Sequence, residues 1–358
     1  MSDNTVTIEP GDSASQAAEP VSVAAPNVSS MTAAEPPDPP AESVTPSVAG
    51  QPHDGLFKGI LGKPEHAASE LRSILPAGLA SRLDLDQLEQ VDGSFVDQAL
   101  RQQHTDVLFR ARLDQGDALI YVLLEHQSTP DRWMALRMCG YLTRIWTRHL
   151  ELHPGVRRLP PIIPIVVYQG RAPWSPPLDL IDLIGTDDDT VGFAPRFSYL
   201  LDDLHRLGVE ELRSRPLTHA VRLSFVLMRE APGSEHLTRV LPDWRTDLEA
   251  VRRSDLVILW TYALIVSNTP EPELTEFLAQ LGPEAKEVAM TTADVLRAEG
   301  EARGRAAGRA DTLLEQLDIK FSDVPADIEQ KVRTAPTSQL EIWTRRILTA
   351  NTIDAIFT

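Results

Sequence analysis

The chain has 358 residues, and its 52 acidic against 34 basic side chains give a formal net charge of −18 at pH 7. This balance excludes a protein that is basic overall, so any contact with nucleic-acid phosphates must come from a local patch of Lys or Arg. The single cysteine, Cys139, excludes an internal disulfide framework, and the longest apolar run, residues 256–266, is too short to cross a membrane.

The first 51 residues differ in composition from the rest of the chain. Residues 1–50 contain eight prolines and seven acidic side chains but no Lys or Arg, and their apolar residues follow no helix or strand period. Such a segment cannot bury enough apolar surface to offset the entropy lost on ordering. We therefore predict a disordered acidic tail, rich in Pro, Ala and Ser, over residues 1–51. Because no basic region followed by an apolar one is present, we expect a soluble, cytoplasmic protein without a membrane partner.

The region after the tail has the pattern of an α/β domain. Apolar residues at helical spacing over residues 53–76 predict two helices divided by Pro64, while residues 88–96 fit either a strand or a turn. An apolar hairpin follows, then a helix over residues 132–150 and a strand over residues 161–168 whose prolines indicate a strand start or an edge position. A strand, a helix and a strand at this spacing predict a crossover to a parallel neighbour. The result is a mixed sheet with an antiparallel hairpin, a crossover helix and a parallel strand.

The predicted hairpin places two carboxylates opposite each other. A two-residue turn at Gln115-Gly116 pairs Asp106 with Glu125 across the strands, with their Cβ atoms about 5 Å apart. Like charges at that separation repel unless a cation lies between them, and a hard divalent ion such as Mg²⁺ takes oxygen ligands of this kind. Gln127 shares the face of Glu125 because side chains alternate along a strand. The hairpin therefore predicts a metal-dependent hydrolase, in particular a nuclease.

The second half of the chain is predicted to be mainly helical. Residues 201–290 form a helical extension, and residues 291–358 form a glycine-repeat helix and a small C-terminal helical unit. Gly300, Gly304 and Gly308 lie on one stripe of that helix. In an apolar segment this spacing favours membrane packing, but charged neighbours here favour a flexible soluble helix or close packing. Homo-oligomer formation through these C-terminal helices is a further hypothesis.

Several short segments resemble those of a known family. They are His53-Asp54-Gly55-Leu56-Phe57-Lys58, Leu75-Pro76, Asp106-Val107-Leu108-Phe109, Leu124-Glu125-His126-Gln127-Ser128, Met134-Ala135-Leu136-Arg137 with Tyr141, and Ile163-Pro164-Ile165-Val166-Val167-Tyr168 with Gly170 and Trp174. With them the chain resembles the PD-(D/E)XK nuclease superfamily and, more closely, the Rpn (recombination-promoting nuclease) family, often labelled YhgA-like putative transposases. The resemblance covers roughly residues 52–200. It implies a restriction-endonuclease-like core and a Mg²⁺-dependent DNA endonuclease associated with DNA recombination or mobile elements.

The resemblance also implies roles for particular residues. Asp106 and Glu125 match the two metal carboxylates, with Mg²⁺ or Mn²⁺ as cofactor, and Gln127 stands where the wider superfamily usually has Lys. The backbone carbonyl of His126 is an additional expected metal ligand. Since Gln127 carries no positive charge, that charge and the DNA contacts are expected from other residues. The candidates for DNA binding are Lys58, Arg137, Arg144 and Arg148, and the accessory candidates are His53, Asp54 and Glu70.

The same residues allow other interpretations. An Asp and a Glu on a hairpin can be solvated charges, and Arg137, Arg144 and Arg148 can form an ordinary solvated helix face. His53 and Asp54 fit the N-terminal cap of the following helix equally well. The histidines lack the close spacing of a zinc site. The alternative function is therefore a non-catalytic, nuclease-like module that binds DNA or protein.

Overall fold

The computed structural model describes residues 52–91, 106–114, 118–187 and 189–357 of the chain. The predicted acidic tail over residues 1–51 and the predicted turn at Gln115-Gly116 lie outside these residues. Within the described residues, no helix is both long and apolar enough to cross a membrane.

Five strands form one mixed sheet. They are Leu83–Gln90, Asp106–Leu113, Ala118–Gln127, Ile162–Tyr168 and Leu200–Asp203, numbered β1 to β5 in that order. The strands lie side by side in chain order. β1, β2 and β3 are antiparallel neighbours, whereas β4 is parallel to β3 and β5 is parallel to β4. The predicted α/β class and the hairpin with a parallel neighbour are confirmed.

The register of the hairpin is the one that the sequence predicts. Asp106 is the Cα partner of Glu125, and the pairing continues without a shift to Leu113 and Ala118. The sequence does not predict most of β1, because the ambiguous segment at residues 88–96 overlaps only the end of this strand, and residues 92–96 lie outside the described residues. The position of β4 differs from one expectation, since this strand lies between β3 and β5 and not at an edge. Its Pro164 is tolerated there because pairing with β5 begins only at the next residue, Ile165.

Among the described residues, three helices precede the hairpin and a fourth follows it directly. They are Pro52–Leu61, Pro64–Ile74, Ala77–Ala80 and Met134–Leu152, numbered α1 to α4. Pro64 divides α1 from α2 as predicted, because proline at a first helical position loses no intrahelical hydrogen bond. α4 connects β3 to its parallel neighbour β4. It packs Met138 and Tyr141 into an apolar cluster with Leu108 and Val166 of the sheet.

The opposite face of the sheet carries the larger apolar core. Phe57 of α1, Leu124 of β3 and Val167 of β4 belong to one cluster with Val226 and Trp260 from the later helices. Complete burial of such side chains stabilises the fold by about 1.5–3 kcal/mol each. The segment after residue 200 therefore shares one core with the hairpin region. Its helices are Val209–Ser214, His219–Glu230, Arg245–Ala250, Arg253–Val266 and Glu271–Ala279, numbered α5 to α9.

The C-terminal region is helical, as predicted, and has an apolar cluster of its own. Its helices are Pro283–Phe321, Ala326–Arg333, Thr337–Arg346 and Asp354–Phe357, numbered α10 to α13. Leu313, Val332, Leu340 and Trp343 are buried together in this second cluster. α10 extends over 39 residues, and none of its residues 294–309, a stretch that contains the three glycines, is buried.

Candidate functional site

Glu125 lies near the end of β3, on the sheet face that α4 covers. Its side chain is 0% exposed, although its strand neighbour Gln127 is only partly buried. Both residues point to the same face because one residue separates them along the strand. Asp106, the first residue of β2, stands opposite Glu125 in the backbone ladder. The sheet therefore brings the three predicted catalytic positions together in register.

The two carboxylate oxygens of Glu125 have different surroundings. Oε1 accepts a hydrogen bond of 2.6 Å from Nε2 of Gln127 and a second bond from the Arg137 guanidinium. Oε2 is buried and has no hydrogen-bond partner among the described residues. A buried oxygen with no partner costs free energy, so it calls for an explanation such as a bound ion or water.

Burial and nearby charges change the acidity of Glu125. Loss of solvation raises its pKa from 4.5 to about 7, and the negative charge of Asp54 acts in the same direction. Arg137 and the amide of Gln127 act in the opposite direction but do not compensate fully. The pKa of Tyr141 is also raised, first by burial and then by Glu125. Burial thus leaves the ionised carboxylate of Glu125 poorly solvated, and a bound cation would stabilise it.

Arg137 is held between two acids. α4 begins soon after β3 and returns across the sheet, so the guanidinium contacts Glu125 through Nη2 and lies 2.7 Å from Oδ2 of Asp131 through Nη1. Asp131 was not identified from the sequence as a site residue. Of the other predicted DNA contacts, Arg144 is exposed, and Arg148 forms an ion pair of 2.9 Å with Glu151.

Lys58, the remaining predicted DNA contact, is exposed on α1. The structure places it on the helix that covers the opposite side of the sheet from α4. Lys58 is therefore accessible to a ligand, but it does not lie on the arginine face of α4.

His53 and Asp54 of α1 approach the sheet beside His126. Nδ1 of His126 is 3.5 Å from Oδ1 of Asp54, and the imidazole rings of His53 and His126 are stacked with centroids 6.2 Å apart. Nδ1 of His53 is 2.7 Å from the hydroxyl of Tyr262 and 3.3 Å from Nε2 of Gln169. Burial lowers the pKa of His53, and the charge of His126 adds to this effect.

His53 and Asp54 connect α1 to the site, because Asp54 lies beside His126 and its negative charge raises the pKa of Glu125. Neither Tyr262 nor Gln169 was assigned a role from the sequence. Tyr262 lies 209 residues from His53 along the chain, and only the tertiary fold brings them together. The backbone carbonyl of His126 remains a predicted metal ligand.

Glu70, the last accessory candidate, belongs to another cluster. Its carboxylate accepts bonds of 2.9 and 3.1 Å from Nη2 of Arg215, which also contacts Asp202 of β5. Burial raises the pKa of Glu70 well above its ordinary value, and the charge of Asp202 adds to this rise. The structure thus joins Glu70 to Arg215 and Asp202 instead of to Glu125.

The donor atoms at Glu125 suit a hard divalent cation. Oε2 is an unpartnered oxygen, and Asp106 adds a carboxylate at the paired position of β2. The described side chains, which do not include that of Asp106, contain no group of three His, Cys, Asp or Glu residues close enough to hold a metal. The fit to Mg²⁺ rests on two observations, the oxygen chemistry of the two carboxyl groups and the pairing of their backbone positions in the sheet.

Comparison with known proteins identifies the family. The family model described as "Putative transposase, YhgA-like" matches residues 51–256. Recombination-promoting nuclease RpnD of Escherichia coli O157:H7 is 41% identical over 126 residues, which cover 34% of this chain and 48% of RpnD. The match therefore spans about half the length of that relative. Recombination-promoting nuclease RpnA of Escherichia coli K12 is 28% identical over 253 residues, 70% of this chain and 84% of RpnA.

A relative with a different name is equally similar. The inactive recombination-promoting nuclease-like protein RpnE of Escherichia coli K12 is 29% identical over 257 residues, 70% of this chain and 83% of RpnE. Overall identity therefore does not separate relatives that are named nucleases from one that is named inactive. No solved structure is significantly similar to the chain. The family match covers more than half of the sequence, and the protein belongs to the YhgA-like transposase family, which includes the recombination-promoting nucleases.

Proposed function

We propose that this protein is a Mg²⁺-dependent DNA endonuclease that acts in recombination or on mobile DNA. The observation that carries the proposal is the buried, unpartnered Oε2 of Glu125, which stands at the position paired with Asp106. The names of RpnA and RpnD support a nuclease. A PD-(D/E)XK type of core is part of the same proposal.

Each residue of the site has a distinct part in this function. Asp106 and Glu125 hold the cation through carboxylate oxygens. When bound, the ion supplies polarisation of the phosphate and a lower pKa for the attacking water. Arg137 and Gln127 fix Oε1 of Glu125, so that Oε2 remains the oxygen that can accept a ligand. Gln127 orients the water through its amide oxygen, which accepts from the water, or the phosphate through the remaining N–H of its amide, which donates to a phosphate oxygen.

The test is cleavage of supercoiled plasmid by the purified chain with Mg²⁺ and with EDTA. We expect nicking that depends on Mg²⁺ and falls by more than about a hundredfold in Asp106→Ala, because loss of a metal carboxylate removes several kcal/mol of transition-state stabilisation. Asp86→Ala is the matched control, since Asp86 is a highly exposed acid on β1. Equal nicking by the wild type and Asp106→Ala would refute the assignment.

One observation favours a second candidate, a non-catalytic module that binds DNA or protein. Arg137 already compensates the charge of Glu125 in part, so this carboxylate is not wholly dependent on a metal. Calorimetric titration with Mg²⁺ and Mn²⁺ separates the two functions. DNA binding without any binding of either metal would support the module and contradict the nuclease.

A further inference from the structure

Trp133 is an exposed aromatic residue directly before α4. Its side chain is 53% exposed, whereas Trp174, Trp244, Trp260 and Trp343 are at most 6% exposed. Trp146, the remaining tryptophan, is half-buried and donates to the carbonyl of Pro160. Exposure alone does not indicate a ligand site, since Phe193 is 91% exposed, but Trp133 differs in its position directly beside the residues that contact Glu125.

The backbone of Trp133 is fixed by the residues that hold Glu125. Its N–H donates to Oδ1 of Asp131 over 2.8 Å, and its carbonyl accepts from the N–H of Arg137 over 2.9 Å. The side chains of Asp131 and Arg137 are bonded to each other, and the Arg137 guanidinium reaches Glu125. The backbone that carries the indole is therefore held next to the residues that contact Glu125, while the indole itself faces solvent.

The charges around the site indicate what kind of contact is needed. The protein has a net charge of −18, and Arg137 and Arg148 are already engaged by acids. Affinity for a phosphate backbone is therefore limited, and another source of binding free energy is required. Stacking of a nucleobase on an aromatic ring supplies about 1–3 kcal/mol without any charge. The guanidinium of Arg132 lies 5.6 Å from the indole centroid and adds a flat cationic group beside it.

We propose that Trp133 stacks on an unstacked nucleobase of the DNA, so that the preferred substrate has a single-stranded segment next to the scissile phosphate. This inference rests on the proposed nuclease function. Bases inside a duplex are covered on both faces by their neighbours, so only a single-stranded or extruded base presents a free face to the indole. Trp133 is in this view a residue that positions the substrate.

The test compares binding of a labelled single-stranded oligonucleotide and of the matching duplex, by fluorescence anisotropy in EDTA and at one salt concentration. We expect Trp133→Ala to bind the single strand roughly five- to a hundredfold more weakly, as loss of one stacking contact implies, with a smaller change for the duplex. Trp133→Phe retains most of the affinity. Leu136→Ala is the control, because Leu136 is equally exposed, at 54%, on the same helix.

Tryptophan fluorescence gives an independent readout that a merely structural role would not change. The single strand should quench the emission of the wild type much more than that of Trp133→Phe, since Trp146 is half-buried and the other four tryptophans are buried. Single-strand affinity of Trp133→Ala within twofold of the wild type would overturn the inference. An equal loss on single strand and duplex, or a change in oligomer mass without a change in DNA affinity, would also overturn it. If the wild type cleaves plasmid while Trp133→Ala binds normally, only the stacking role fails; if the wild type neither binds nor cleaves DNA, the proposed function fails.

Discussion

Replacement of Glu125 by Gln tests the electrostatic description of the site through protein stability. In the folded chain the pKa of Glu125 is about 7, against 4.5 as the ordinary value. The folded state therefore binds this proton more tightly than the unfolded state, so the ionised carboxylate destabilises the fold. The cost is absent below pH 4.5, grows as the pH rises towards 7, and amounts to about 3 kcal/mol above that value.

Glu125→Gln removes this cost because the amide carries no charge. In EDTA we expect the variant to be more stable than the wild type by up to about 3 kcal/mol near pH 8, and by much less near pH 5. The free energies of unfolding come from urea denaturation at the two pH values. Added Mg²⁺ should stabilise the wild type, by about 2.7 kcal/mol at a hundred times its dissociation constant, and should not stabilise the variant.

Glu287→Gln is the control for this experiment. Glu287 is exposed and paired with Arg253, and the hydrogen bond from Arg253 lowers its pKa. Its replacement should change stability little and in the opposite direction. The reasoning about Glu125 is refuted if Glu125→Gln is less stable than the wild type near pH 8 in EDTA, or if the difference between the two proteins is the same at both pH values.

Two further substitutions test the packing around the sheet. Gly170→Ala should destabilise the protein by about 1–3 kcal/mol in urea denaturation, because a Cβ at this residue would lie 2.2 Å from the hydroxyl oxygen of Tyr168. Arg215→Ala should cost about 3–5 kcal/mol in the same assay, because it leaves Glu70 and Asp202 buried without their cation.

Both substitutions have controls within the chain. Gly78→Ala places its new methyl group in open space, and Arg305→Ala removes an exposed ion pair with Glu301. Each control should change the free energy of unfolding by less than about 1 kcal/mol. If Gly170→Ala is as stable as Gly78→Ala, then residue 170 has more space beside Tyr168 in solution than the structure shows. Wild-type stability of Arg215→Ala would exclude the buried ion cluster.

The hairpin could be predicted because its determinants are local. The prediction used a glycine in the expected turn and two apolar strands, and the structure has the predicted pairing of Asp106 with Glu125, although the turn itself lies outside the described residues. β1 was missed for a local reason as well. Its buried residues Leu83, Leu85 and Leu88 change from a spacing of two to a spacing of three, because the register shifts between residues 84 and 89. A strand with such a shift loses the alternation by which strands are recognised.

The interactions of the site were less predictable than its position. The sequence indicated Arg137 as a candidate source of the positive charge that Gln127 lacks, and placed it on one helix face with Arg144. It did not indicate the ion pair of Arg137 with Glu125, which depends on the path of α4 over the sheet. Tyr262 meets His53 through packing of α8 on α1. Burial of Glu125, and therefore its raised pKa, is likewise a property of the assembled layers. The spacing of residues along the chain gives no information on tertiary contacts between elements that are distant in sequence.

The exposed middle of α10 lies between the part of this helix that packs on the larger core and the part that belongs to the C-terminal cluster. Over residues 294–309, about 24 Å of helix, the backbone is supported by its own hydrogen bonds and by no buried side chain. Three glycines each weaken such a helix by about 1 kcal/mol relative to alanine. We therefore expect local unfolding of the cluster around Trp343 to stop within this stretch before it reaches the sheet. The C-terminal helices should then exchange their amide hydrogens, or be cut by a protease, while Glu125 and its partners remain in place.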